Sequence, residues 1–441
     1  MTQLKYPQSV TWEVTPACNH ACIHCYNSWR TQEQTKYDDY IHSQTTEQGL
    51  LTVAQKIVDA KPRKVTITGG EPLLLFNKLV PSIELLLNSG IRIGVNTNVV
   101  LLTDEMAKYF ASKKIGLFVS FPCSEPEICD KIVAREGAFN RICEGLRTAD
   151  RNGVSYSLNM VITKLNFDYM ESTAKFLVDN FKPKGFCISK ASMPCNADPE
   201  MVNIALGPDE HIQSFRVLKQ ITDKYGLETD SARARCLCMF TDPDMIKAYG
   251  FKRTCSAGKT VCTVGYNGDI RACESDTVAY GHILKDTIPE AMARMTDWQE
   301  DSKLPQECKE CKHHESGICN GGCRFDAEST SGLANALDSA ANINNAKTID
   351  YSQYRPKMDI VIEPCVEYKL KAGVKTEVKD GQNRVYSDRA MCNIGNKTFE
   401  YITTHDTFTV MKATAAISYG AMGSIMQQLN ALLVRGLIEK A

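Results

Sequence analysis

Short apolar runs alternate with longer amphipathic stretches from residue 9 to residue 192. The runs at 10–14, 64–68, 91–96, 116–121, 155–163 and 185–190 read as strands, and the stretches at 46–60, 79–88, 104–114, 139–152 and 169–180 read as helices. Within 46–60, Leu50, Val53, Ala54, Ile57 and Val58 fall on one helical face. Thr103 ahead of Asp104 and Glu105 marks a helix start with negative charge in its first turn. Six such βα units predict an α/β fold, a parallel sheet curved into a partial, TIM-like (βα)6 barrel. In barrels of this kind, functional residues gather in the loops after the C-terminal ends of the strands.

The pattern changes after residue 200. A bridging helical region spans 201–252, with a helix near 208–225, and a cysteine-rich domain follows over 253–366. Inside it Asn267-Gly268 predicts a hairpin turn between short strands. A small C-terminal domain, 367–441, shows alternation at 374–378 and 397–403 that predicts a small sheet. Its last stretch, 418–437, reads as a helix with Met422, Ile425, Met426, Leu429, Leu432 and Leu433 on an apolar stripe.

Composition narrows the function. The chain has 441 residues, enough for two or three domains. A net charge of −1 argues against broad binding to nucleic acid or anionic membrane. No apolar run approaches the roughly 18 residues of a membrane span, and the N-terminus lacks a basic-then-apolar signal. Nineteen cysteines without an export signal read as metal ligands and free thiols, which points to a reducing cytoplasm.

The thiols are not scattered evenly. Cys18, Cys22 and Cys25 are separated by three and then two residues, where a loop leaves the first predicted strand, with Tyr26 next. Soft thiolates at this spacing suit iron–sulfur or zinc ligation, and three ligands imply one open position. Gly69-Gly70-Glu71-Pro72 follows the second strand. Its glycines let the backbone approach a ligand closely, and a carboxylate or carbonyl there can accept from an ammonium group.

The CxxxCxxC-aromatic motif ahead of GGEP resembles the radical S-adenosylmethionine (SAM) enzymes. The resemblance implies a four-iron cluster on Cys18, Cys22 and Cys25, with SAM chelating the open iron. One electron would cleave SAM to methionine and a 5′-deoxyadenosyl radical, which takes a hydrogen atom from substrate. It further implies SAM contacts at Tyr26, Gly69, Gly70 and Glu71. Asn98 lies in a segment similar to the family's TNG, with Val99 where glycine is usual, and Ser120 matches a serine that faces SAM. Asn159 and Asn166 are candidate polar contacts, with core capping as the alternative. Cys129-Asp130-Lys131-Ile132-Val133 departs from the family's His-Asp-x-x-Arg pattern, and Phe121-Pro122-Cys123 from its Leu-Asp-Gly, which predicts a divergent substrate. Cys123 and Cys129 belong to a loop expected to face the radical. Cys143, Cys187 and Cys195 are expected to be structural.

A second set, residues 255–365, resembles the SPASM domain, which carries two auxiliary four-iron clusters. By position, Cys255, Cys262, Cys273 and Cys323 would hold the nearer cluster. Cys308, Cys311, Cys319 and Cys365 would hold the farther one, with Cys392 as a substitute for Cys365. The pair Cys236 and Cys238 would be unligated unless a cluster needs a replacement. Two departures stand out: seven residues between Cys311 and Cys319, and an Ala/Asn/Ser-rich insertion at 327–350. Glu274 follows Cys273, where sulfatase-maturing relatives carry an aspartate base, and is the candidate catalytic base.

The resemblance implies a maturase that installs a thioether, C–C or C–O cross-link in a ribosomally made precursor peptide. Its partners would be a leader-bearing peptide and an electron donor such as flavodoxin or ferredoxin. The C-terminal domain is expected to grip the leader, as a winged-helix or similar module, or to cap the barrel. The alternatives are a sulfatase maturase that makes formylglycine from Cys or Ser, and, in another class, a zinc-binding scaffold or redox sensor.

Overall fold

A computed structural model describes residues 6–26, 45–192, 203–355, 362–379, 382–388, 390–417 and 422–441. Cys195 and the first residues of the helix expected at 418–437 lie outside them. Two compact units result. Pro7–Arg355 form one, and Tyr6 with the chain from Pro356 onward forms the other.

The first unit is built on one mostly parallel sheet. Strands β1 (Ser9–Glu13), β2 (Lys64–Thr68), β3 (Arg92–Thr97), β4 (Gly116–Ser120), β5 (Tyr156–Ile162) and β6 (Gly185–Lys190) pair in sequence order, all parallel. The crossovers run through helices α1 (Glu47–Asp59), α2 (Phe76–Asn88), α3 (Asp104–Ser112), α4 (Pro126–Val133), α5 (Ala138–Arg151) and α6 (Met170–Asn180). Alternate residues Val10, Trp12 and Val14 are buried, as are Val65 and Ile67, so the sheet carries the core. Thr46 Oγ1 accepts from Gly49 N at 3.0 Å and Thr103 Oγ1 from Met106 N at 3.2 Å, satisfying amide groups that each helix start leaves free.

Four strands beyond the expected six extend this sheet. After helix α7 (Pro208–Tyr225), β7 (Glu228–Ser231) joins β6, and β8 (Val261–Val264) joins the opposite edge, parallel to β1. The Asn267-Gly268 hairpin then returns β9 (Asp269–Arg271) against β8, and β10 (Gly281–His282) against β9. The start of the cysteine-rich region is therefore joined to the barrel by backbone hydrogen bonds. A buried ion pair adds a second tie. Lys190 Nζ, at the end of β6, reaches Asp326 Oδ1 and Ser339 Oγ, both at 2.7 Å. Removing either charge would strand the other in the core.

The C-terminal unit holds β11 (Tyr368–Leu370), a meander of β12 (Lys375–Lys379), β13 (Gln382–Ser387) and β14 (Ala390–Ile394), and β15 (Ile438–Lys440), which pairs with β11. The strand expected at 397–403 is instead a helix, Asn396–Thr404. Its buried residues Thr398 and Ile402 are four apart, on one helical face, so packing prevails over the strand preference of its Thr, Phe, Tyr and Ile. A further helix, Met422–Val434, carries buried Ile425, Leu429 and Leu432. Among the described residues, no helix is long and apolar enough to cross a membrane.

Candidate active site

The cysteine loop leaves β1 and is held from three sides. Ala21 N donates to Val133 O at 3.0 Å and Ile23 N to Ile132 O at 2.9 Å, so the loop runs along the end of α4. Arg135 Nε donates to Asn19 O at 3.2 Å, and Asn98 Nδ2 to Asn19 Oδ1 at 2.7 Å. Cys25 N closes a turn onto Cys22 O at 3.1 Å. The three thiols are half-buried.

The GGEP segment packs directly on this loop. Gly70 N donates to Thr15 O at 2.7 Å and Glu71 N to Ala17 O at 2.8 Å. A Cβ on Gly70 would lie 2.0 Å from Ala17 O, and Gly69 has φ +130° with Thr15 O 2.5 Å from where its Cβ would be. Both positions require glycine. The Glu71 carboxylate is fully buried and accepts from Leu73 N at 3.0 Å, the Thr97 hydroxyl at 2.7 Å and Asn98 N at 2.8 Å. Burial pushes its pKa up and those three donors pull it back. Glu71 thus ties the end of β2 to the end of β3, and the Asn98 side chain ties β3 to the cysteine loop. Val99 takes φ +55°, the backbone that glycine would adopt, and its carbonyl fits because α5 carries Gly145, where a Cβ would sit 2.3 Å from Val99 O.

Ser120, exposed at the end of β4, stands opposite Asn159 on β5, whose Oδ1 accepts from Ser189 Oγ at 2.9 Å. Asn166 is a core cap, with Thr163 N, Pro122 O and Val161 O as partners within 2.9 Å. Cys123 and Cys129 are fully buried, with burial raising both thiols, and Cys22 of the cysteine loop is among the electrostatic neighbours of Cys129. In the divergent segment, Asp130 takes the amides of Gly137 and Phe139, and Arg135, two residues past Val133, braces the cysteine loop.

A charged group missed by sequence reading lies beside this loop. Glu13, at the end of β1 and 1% exposed, is bridged to Arg271 of β9, while its Oε1 has no hydrogen-bond partner among the described residues. Half-buried Tyr26 has Glu13, Glu274 and Cys25 as electrostatic neighbours, all raising its phenol after burial does. Arg233 Nη1 donates to Ser275 Oγ at 2.9 Å and stands among Cys323, Glu274, Cys273 and Tyr26. The hint in sequence was a charged residue inside an apolar strand, Glu13 in SVTWE.

Burial pushes the Glu13 carboxyl up to about 7, against the pull of Arg271 and with added push from Glu274. The proton is bound more tightly in the folded state, so the group's contribution to stability is complete below about pH 4.5 and is lost as pH rises through about 7. Anaerobic urea unfolding of wild type and Glu13→Gln should show wild type losing ground to the variant by up to about 1.4 kcal/mol per pH unit from pH 5.5 to 7, then levelling. A constant difference from pH 5.5 to 8.5 would show that Glu13 is charged throughout.

The downstream thiols form two groups. Cys255, Cys273 and Cys323 lie within one another's electrostatic reach, and burial, then the neighbouring Glu274 and Asp276, then the two other thiols raise Cys273 well above the usual thiol range. Cys262, on β8 opposite Val10, is raised to about 12 by burial alone, with no contribution from another thiol. Cys308, Cys311 and Cys319 form the other group, and Cys238 contributes to it. Cys365 and Cys392 belong to the C-terminal unit, where Cys365 is exposed and Cys392 buried. Among the described residues, no three Cys, His, Asp or Glu side chains converge on one point as a single metal ion requires. A tetrahedral zinc would bring sulfurs within about 3.8 Å of one another. A four-iron cube binds its thiolates at separate corners rather than through one ion.

Residues 12–177 match the profile of the Radical SAM superfamily. With the cysteine loop and GGEP clasped at the ends of neighbouring parallel strands, residues 12–177 are a radical SAM domain. The AdoMet-dependent heme synthase of Oleidesulfovibrio alaskensis is 22% identical over 354 residues, 73% of this chain and 84% of that protein. The mycofactocin maturase MftC of Mycolicibacterium smegmatis is 25% identical over 342 residues, 73% and 79%. In fold the chain is similar to native anSMEcpe with bound AdoMet (TM-score 0.58, 17% identity, 79% and 96% covered). It is also similar to Streptococcus suis SuiB bound to its precursor peptide SuiA (TM-score 0.59, 14% identity, 77% of each chain). The family implies a four-iron cluster and SAM.

Proposed function

We propose that this enzyme matures a ribosomally made peptide in the cytoplasm by installing a thioether, C–C or C–O cross-link. The observation that carries this reading is the similarity to a mycofactocin maturase over 342 residues, a span that extends past the barrel into the cysteine-rich region. When bound at Cys18, Cys22 and Cys25, a reduced cluster supplies the electron that splits SAM into methionine and a 5′-deoxyadenosyl radical. Gly69 and Gly70 give backbone access for SAM. Glu71 and Asn98 hold that backbone in place, and Ser120 and Asn159 offer polar groups across the β4–β5 edge. Tyr26 packs beside the loop.

A cross-link removes two hydrogens from the peptide, one as an atom and one as a proton with an electron. Glu274 is our assignment for the proton, taken at its carboxylate. The auxiliary thiols would hold the electron's acceptor, and flavodoxin or ferredoxin would reduce the first cluster. The C-terminal unit, with its meander and three helices, is our candidate for leader binding.

Anaerobic incubation with SAM, reductant and peptides encoded beside the gene, followed by tandem mass spectrometry, should yield a product lighter by two hydrogens. An aldehyde on a sulfatase-derived peptide would favour formylglycine formation instead. The heme synthase relatives support a second reading, a tetrapyrrole substrate. A changed porphyrin mass with every peptide left unmodified would establish it.

A further inference from the structure

We propose that Cys238, from the upstream Cys-x-Cys pair, completes the ligand set of Cys308, Cys311 and Cys319 for a four-iron cluster, and that Cys365 does not. The short turn Leu237–Met239 lies against this group, and Leu237 N donates to Cys319 Sγ at 3.5 Å. Cys238 is within electrostatic reach of both Cys308 and Cys319, and Cys311 lies within reach of the same two thiols. Four thiols from three segments therefore lie within reach of one another. Cys365 is exposed and belongs to the other compact unit.

The turn that carries Cys238 is fixed by the Ala/Asn/Ser-rich insertion and the residues just after it. Asn345 Nδ2 donates to Cys238 O at 3.0 Å, and the Tyr351 hydroxyl donates to Phe240 O at 2.7 Å. Tyr351 is fully buried, with Cys238, Cys236, Cys319 and Cys311 around it, and its ring meets His313 edge-on at 5.0 Å. His313 Nε2 in turn lies 3.1 Å from both Ala346 O and Ile349 O. The insertion thus shields these thiols from water, as a stable cluster requires, and presents Cys238 from the side that a downstream cysteine would otherwise have to fill. Cys236 has a different part. Its thiol donates to Asp338 Oδ1 at 3.8 Å and lies beside Cys238, so it lines the ligand's surroundings without being needed as a ligand.

The proposal rests on the radical SAM reading with auxiliary clusters. Its test is iron and sulfide per chain, with Mössbauer spectra, on anaerobically reconstituted wild type, Cys238→Ala, Cys238→Ser and Cys365→Ala. Wild type and Cys365→Ala should each hold about twelve irons, and the Cys238 variants about eight, or eleven where a three-iron remnant persists. Loss of a cluster in Cys365→Ala, or a full complement in both Cys238 variants, would overturn it. If the Cys238 variants are insoluble, the Cys365→Ala count decides in the same way. A wild-type count near four irons would also overturn it. Absence of any peptide product overturns the functional reading alone and leaves the iron counts as they are.

Discussion

Replacing Cys18, Cys22 and Cys25 together by alanine should abolish 5′-deoxyadenosine formation while about eight of twelve irons remain bound. The three thiols sit on one loop, and that loop is held by backbone bonds to α4 and by Asn98 and Arg135. Loss of the thiols should therefore remove the radical-generating site and spare the fold. Liquid chromatography of the quenched reaction, with iron analysis of the same sample, reads both. If the variant still forms 5′-deoxyadenosine, the radical originates elsewhere.

Gly70→Ala should be nearly as damaging although it touches no ligand. Its Cβ would meet Ala17 O at 2.0 Å, Ala17 C at 2.5 Å and Pro16 O at 2.7 Å, all backbone atoms that cannot swing aside as a flexible side chain would. The cysteine loop must move, and a displacement of about 1 Å at a reacting centre costs about 100-fold in rate. Gly94→Ala is the control. It lies on the neighbouring strand with ordinary φ, and its nearest contact would be the end of the Lys64 side chain at 3.7 Å. Turnover of SAM to 5′-deoxyadenosine should fall about 100-fold or more in Gly70→Ala and stay near wild type in Gly94→Ala. Equal activity in the two variants would show that the clasp between GGEP and the loop is dispensable.

Local features were the legible ones. Strand and helix periods along the barrel repeat within a few residues, so β2 and β6 match expectation to the residue and the other four strands to within one. The helix expected at 79–88 begins three residues earlier, at Phe76, with Pro81 in its second turn. The structure accepts this proline inside α2, where the ring forgoes one backbone bond. The cysteine loop and GGEP were visible as motifs, but their mutual clasp was not, since it joins residues some 50 apart through backbone contacts. Val99 was legible as an anomaly, and its left-handed backbone explains why glycine is usual there. Glu13, Arg271 and Arg233 were hidden because their meeting depends on β8 adding to β1, a pairing that no local pattern announces. The Cys238 turn was hidden for the same reason. Spacing pointed downstream to Cys365, and folding also brings an upstream segment back to the thiols.

The account stands on one iron with a vacant coordination position at the cysteine loop. The measurement that tests it most directly is electron paramagnetic resonance of anaerobically reduced protein, with and without SAM, on wild type and the triple cysteine variant. Added SAM should change the g values of one reduced cluster in wild type and leave the variant's spectrum unchanged. A wild-type spectrum indifferent to saturating SAM would contradict the account.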